Sequence, residues 1–130
     1  MRACFCLIVL CWSCVAWAGD VEILQVEFFQ KGINTWQASA TLKHADEGWK
    51  HYADAWRVML PSGLVAGLRT LHHPHVDEQP VTRSLANIEI PPGVEKVTVE
   101  AHDKIHGWAK KQVQVDLMKA SGDRYKVHRR

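Results

Sequence analysis

The chain has 130 residues, 47% of them apolar, with 16 Lys and Arg against 14 Asp and Glu. All four cysteines (Cys4, Cys6, Cys11 and Cys14) fall in the first 18 residues, where only Arg2 and Ser13 are not apolar. The other 112 residues hold no cysteine and are about 40% apolar; this excludes a disulfide scaffold, a CxxC redox site, a thiolate metal site and a cysteine nucleophile there, and suits one core rather than two.

Residues 1–18 have the parts of a secretory signal peptide. Arg2 supplies the positive end, Ala3 to Val15 a short apolar run, and Ala16-Trp17-Ala18 an A-x-A cleavage site. The run is too short to cross a bilayer comfortably, so no transmembrane segment is expected after cleavage. Cys11-Trp12-Ser13 lacks the aliphatic residue expected three positions before a lipidated cysteine, which argues against lipidation at Cys14. A mature chain starting near Gly19, periplasmic or secreted, is expected. Residues 19–118 carry a formal net charge of −3, whereas residues 119–130 carry +4 from Lys119, Arg124, Lys126, Arg129 and Arg130 against Asp123. The body thus lacks the basic balance of a nucleic-acid domain, and no nucleic acid is expected as a partner. The last twelve residues read as a basic, flexible, solvated tail.

Along the mature chain, apolar and polar residues alternate with the period of a half-buried strand. Val21 to Gln30 is a first strand, ended by Lys31-Gly32-Ile33-Asn34. Trp36, Ala38, Ala40 and Leu42 mark the inner face of a second. Trp56, Val58 and Leu60 mark a third, closed by the turn Pro61-Ser62-Gly63. Leu64 to Leu71 is a fourth, and Thr82 to Ile90 a fifth that stops at Pro91-Pro92-Gly93. Val97, Val99 and Ala101 belong to a sixth, and Val113, Val115 and Leu117 to a seventh. No segment has a sustained helical period.

Seven short strands with frequent turn signals predict an all-β, seven-stranded antiparallel β-sandwich without a disulfide, spanning residues 19–118. The run Val97, Val99, Ala101, Asp103, Gly107, Val113, Val115, Leu117 resembles the last hairpin of immunoglobulin-like and fibronectin-III-like domains. His44-Ala45-Asp46-Glu47-Gly48-Trp49, His51-Tyr52-Ala53-Asp54 and His73-Pro74-His75-Val76 resemble stretches of short, uncharacterised exported bacterial proteins, a likeness that implies no activity.

Antiparallel order puts alternate connections at the same end. Lys31–Asn34, Pro61–Gly63 and Pro91–Gly93 are tight, whereas His44–Asp54, His72–Val81 and His102–Trp108 are long, the layout of a scaffold presenting a binding surface. Seven of the eight histidines lie in or beside the long loops, and only His128 does not. His44, His73, His75, His102 and His106 are the candidate ligands of a metal, Zn or Cu, with His73 and His75 flanking Pro74 as a chelating pair. The competing reading is a hydrogen-bonded network of neutral imidazoles and carboxylates. Trp49, Tyr52, Asp54, Glu78, Asp103 and Trp108 are candidates for contact with a ligand or partner, while Trp36 and Trp56 fit the strand alternation and belong to the core. Asp103 falls in phase with Val97, Val99 and Ala101, so it points inward at the core rim and needs a partner, either Arg83 or loop amides. No nucleophile elbow, phosphate loop or HExxH motif is present. The expected function is a non-enzymatic exported binding module that engages an envelope or secreted protein or a small ligand, with or without a divalent metal. A periplasmic Cu/Zn-binding protein, a carbohydrate-binding module and, more weakly, a metal-dependent hydrolase are the alternatives.

Overall fold

In the computed structural model, which describes residues 19–130, the alternating segments form ten β-strands and no helix. The expected signal peptide and cleavage site, and with them the four cysteines, lie outside the described residues. The strands are β1 (Glu22–Gln30), β2 (Thr35–Lys43), β3 (Ala53–Met59), β4 (Val65–Thr70) and β5 (Val81–Glu89). They continue as β6 (Lys96–Asp103), β7 (Gly107–Trp108), β8 (Val113–Asp116), β9 (Ser121–Gly122) and β10 (Tyr125–His128). The seven expected strands correspond to β1–β6 and β8. The count of seven is corrected to ten by three short strands, β7, β9 and β10, each too brief to show a sequence period.

One sheet has the order β5-β2-β1-β10-β9, and the other runs β4-β3-β6 with β7 and β8 both against β6. Neither closes into a barrel. Their inner faces share one core. Because successive side chains in a strand point to opposite faces, β2 buries Trp36, Ala38, Ala40 and Leu42 while its other residues stay more exposed. Strand β6 buries Val97, Val99, Ala101 and Asp103 in the same way. Trp56 of β3 and Phe28 of β1 are the largest fully buried side chains, and Phe28 meets Trp36 edge-on at 6.3 Å. Each such side chain contributes about 1.5–3 kcal/mol by leaving water. No helix of the described residues is long and apolar enough to cross a membrane.

The C-terminal segment departs from expectation. Residues 119–130 are part of the first sheet rather than a flexible tail: β10 pairs in parallel with β1, matching Val26 to Tyr125 and Phe28 to Val127, and β9 folds back on β10. Tyr125 and Val127 are buried. Three of the five basic residues that gave the segment its solvated look are tied to backbone. Arg124 donates to the carbonyls of Ile23 (3.2 Å) and Gln112 (2.9 Å), Arg129 to that of Leu117 (2.8 Å) and Arg130 to that of Lys31 (2.7 Å). His128 stacks on Phe29 at 4.6 Å and pairs with Glu27 at 3.0 Å.

Gly122 makes this docking possible, since a Cβ there would run into the ring of Tyr125. Gly122→Ala is therefore expected to lower unfolding free energy by about 1–3 kcal/mol in urea, the range for overpacking. Exposed Ser121→Ala should leave the midpoint in place. An unchanged midpoint for Gly122→Ala would mean that Tyr125 does not pack there.

Candidate functional site

The three long connections meet at one end of the two sheets. Asp46, in the β2–β3 loop, accepts the amide of His75 from the β4–β5 loop at 2.7 Å. Tyr52 accepts the amide of Lys104, which follows β6, at 3.2 Å. Gln79 joins the β4–β5 loop to the end of β2, accepting from the His44 amide (3.1 Å) and donating to the His75 carbonyl (2.8 Å). Gly48, with φ of 91°, lets the β2–β3 loop turn back so that Glu47 and His51 face each other across a 2.8 Å backbone bond.

Two buried carboxylates organise this end. Asp103 closes the inward row of β6 with no exposed surface. Its Oδ1 accepts from the amides of Ile105 (2.9 Å) and His106 (2.8 Å), and lies 3.1 Å from both His51 Nε2 and His106 Nδ1. Burial alone would raise this carboxyl, but the two amides and the His106 ring outweigh it and hold the pKa below the usual carboxylate value. Of the two partners expected for Asp103, loop amides are the ones found; Arg83 instead donates to His75 Nε2 at 3.0 Å. Asp46 is the second. Its Oδ1 accepts from the amide of Ala53 (3.0 Å) and from His44 Nδ1 (2.6 Å), and its Oδ2 takes the His75 amide. With Nδ1 donating, the His44 ring keeps its lone pair on Nε2, a buried atom with no hydrogen-bond partner. The His44 and His51 rings stand edge to face at 4.8 Å, and His51 and His106 are 5.1 Å apart.

The expected ligand set divides. His44 and His106 lie in this cluster. His73 and His75 form a separate pair 4.6 Å apart, and the guanidinium of Arg83 at His75 Nε2 disfavours a cation there. His102 lies on the other face of β6, where its Nδ1 meets Asp54 Oδ1 at 2.5 Å. A β-bulge between Ala53 and Ala55 gives Asp54 its place, a local shift that alternation does not reveal. The aromatics divide too. Trp49 is exposed and meets the buried Tyr52 edge-on at 6.0 Å, whereas the ring of Trp108 is covered by Arg57 at 3.7 Å and touched by His102 at 4.8 Å. Glu78 is exposed on the β4–β5 loop. His51, Asp46 and Glu47 were absent from the expected site, yet one signal was available. His44 and Asp46 continue the inward phase of Trp36, Ala38, Ala40 and Leu42 beyond the end of β2.

His75 offers a direct check of this geometry. Burial first, then the positive charge of Arg83, lowers its pKa from the ordinary 6.5. A histidine lowered in the folded state is favoured neutral, so the stability it contributes is complete above 6.5 and declines as pH falls below that value. NMR titration should find His75 below 6.5, and Arg83→Met should move it upward. A wild-type His75 titrating above 6.5 would contradict this arrangement.

No family model matches the chain. Nor does any solved structure. The chain is 36% identical over 97 residues to a protein of Halomicrobium mukohataei named "Putative lipoprotein", an alignment covering 75% of this chain and 47% of that protein. The chain thus spans about half the length of the curated relative it matches.

Proposed function

We propose that the protein is an exported, non-enzymatic binding domain whose long-loop end grips a protein partner of the cell envelope. The signal-peptide pattern of residues 1–18 and the name of the Halomicrobium mukohataei relative support an envelope location. The strand order favours an immunoglobulin-like or fibronectin-III-like sandwich, with β1, β2 and β5 in the roles of strands A, B and E and β3, β6 and β8 in those of C, F and G.

One observation carries the reading. Each of the three converging loops exposes one large apolar side chain: Trp49 (67%), Val76 (57%) and Ile105 (63%). Apolar side chains held on loops that are themselves fixed by buried hydrogen bonds lose little entropy on binding, which suits an anchored protein interface. A carbohydrate platform is less well supported, because Tyr52 is buried and Arg57 covers Trp108.

Capture from an envelope extract of the source organism tests the proposal. Trp49→Ser, Val76→Ser and Ile105→Ser combined should reduce recovery of the captured partner by about tenfold or more. Ile33→Ser, a change at a still more exposed apolar residue in the β1–β2 turn, should not. Equal capture by the triple variant and the wild type would overturn the reading.

A further inference from the structure

Beneath that surface, His44, His51 and Asp103 are all buried, and their potential ligand atoms lie within 4.8 Å of one another. Three features of this triad bear on what it can hold. His44 Nε2 is buried with its lone pair unused, a desolvated acceptor without a donor. Asp103 Oδ1 accepts from two amides and has two imidazole nitrogens 3.1 Å away, that of His106 lying equally close to Oδ2. The third is the environment of the two imidazoles. Asp46 is hydrogen-bonded to His44 Nδ1 at 2.6 Å, and the Glu47 carboxylate lies 3.6 Å from His51 Nδ1, at ion-pair distance. A carboxylate at one ring nitrogen fixes the tautomer and makes the other nitrogen the more basic ligand.

We infer that His44 Nε2, His51 Nε2 and Asp103 Oδ1 bind a divalent transition cation of the zinc type, with Asp46 and Glu47 as positioning residues. A cation gives the buried orphan nitrogen a partner. It takes the unused lone pair of His44 together with that of His51, whose Nε2 then faces the cation rather than donating to Asp103. The His51 proton is then held at Nδ1 toward Glu47. Two imidazole nitrogens and one carboxylate oxygen suit Zn²⁺ and its neighbours rather than Ca²⁺ or Mg²⁺, which prefer oxygen ligands throughout. His106 stands next to the triad, its Nδ1 3.1 Å from each Asp103 oxygen, and Asp20 lies 4.0 Å beyond it. The site differs from the expected His73–His75 chelate and does not depend on partner binding.

The experiment is titration of chelator-treated protein with Zn²⁺, followed by calorimetry, and with Co²⁺, followed by visible absorption. One equivalent should bind, with the Co²⁺ spectrum of a site containing nitrogen ligands. His51→Gln should weaken Zn²⁺ binding by more than about 100-fold, and Glu47→Gln by about 10- to 100-fold. The Glu47 side chain is 59% exposed, so its variant should melt like the wild type in the absence of metal, separating positioning from folding. His73→Ala should bind as the wild type does. The inference is overturned if the folded wild type binds neither ion, or if His51→Gln and Glu47→Gln leave the affinity unchanged. It is equally overturned if His73→Ala abolishes binding.

Discussion

A fully buried carboxylate at the end of an apolar row is the constraint on which the loop end depends. Strand β6 presents Val97, Val99 and Ala101 to the core and then, in the same phase, Asp103. A charge taken out of solvent costs on the order of several kcal/mol unless hydrogen bonds replace the lost water. β6 cannot supply those bonds. The chain immediately after it bends so that the amides of Ile105 and His106 reach Asp103, and His51 reaches the same oxygen from the β2–β3 loop. Strand β2 repeats the scheme with Asp46, which draws in His44, Ala53 and the β4–β5 loop through His75. One inward row from each sheet therefore ends in a carboxylate, and the loops converge because those carboxylates require donors.

The same requirement explains why the histidines do not act as one cluster. Six of the eight have a polar side-chain partner. His44 is held by Asp46, His51 and His106 by Asp103, His75 by Arg83, His102 by Asp54 and His128 by Glu27. Among the described residues, His44 alone retains a buried ring nitrogen with nothing to bond, which distinguishes its neighbourhood from the other pairs. The outer surface of the loops carries Trp49, Val76 and Ile105, so the polar interior fixes the frame and the apolar exterior remains free for contact.

Much of this was legible in the sequence because a two-residue period is a local signal. The inner rows of β2 and β6, the burial of Trp36 and Trp56 and the inward aspect of Asp103 all follow from alternation between turn residues. Where pairing is non-local, the signal fails. Strand β10 is four residues long and joins β1 in parallel across a hundred positions of sequence, so neither its length nor its charged composition marks it as a strand. The bulge at Ala53–Ala55 is equally silent, and with it the meeting of Asp54 and His102. The choice of ligands turned on the same distinction. Spacing within one loop pointed to His73 and His75, whereas the buried triad draws His44 and His51 from one loop and Asp103 from the end of a strand about fifty residues later.

The C-terminal segment also bears on the loop end, although it pairs along the side of the sheet. The connection from Asp103 to Val113 is the third of the converging loops, and only its first part is held by the buried carboxylate. Its far part is held by Arg124, whose guanidinium bonds the Gln112 carbonyl on one side and the Ile23 carbonyl of β1 on the other. Arg124 sits at φ of 62°, a conformation that non-glycine residues seldom adopt, between β9 and β10. The pairing of β10 with β1 thus fixes the arginine that joins the two sheets beside the third loop. Asp20, two residues before β1, approaches His106 from the same side. A segment that reads by composition as a solvated tail is therefore part of the frame, tying the far part of the third loop at Gln112 to β1 at Ile23.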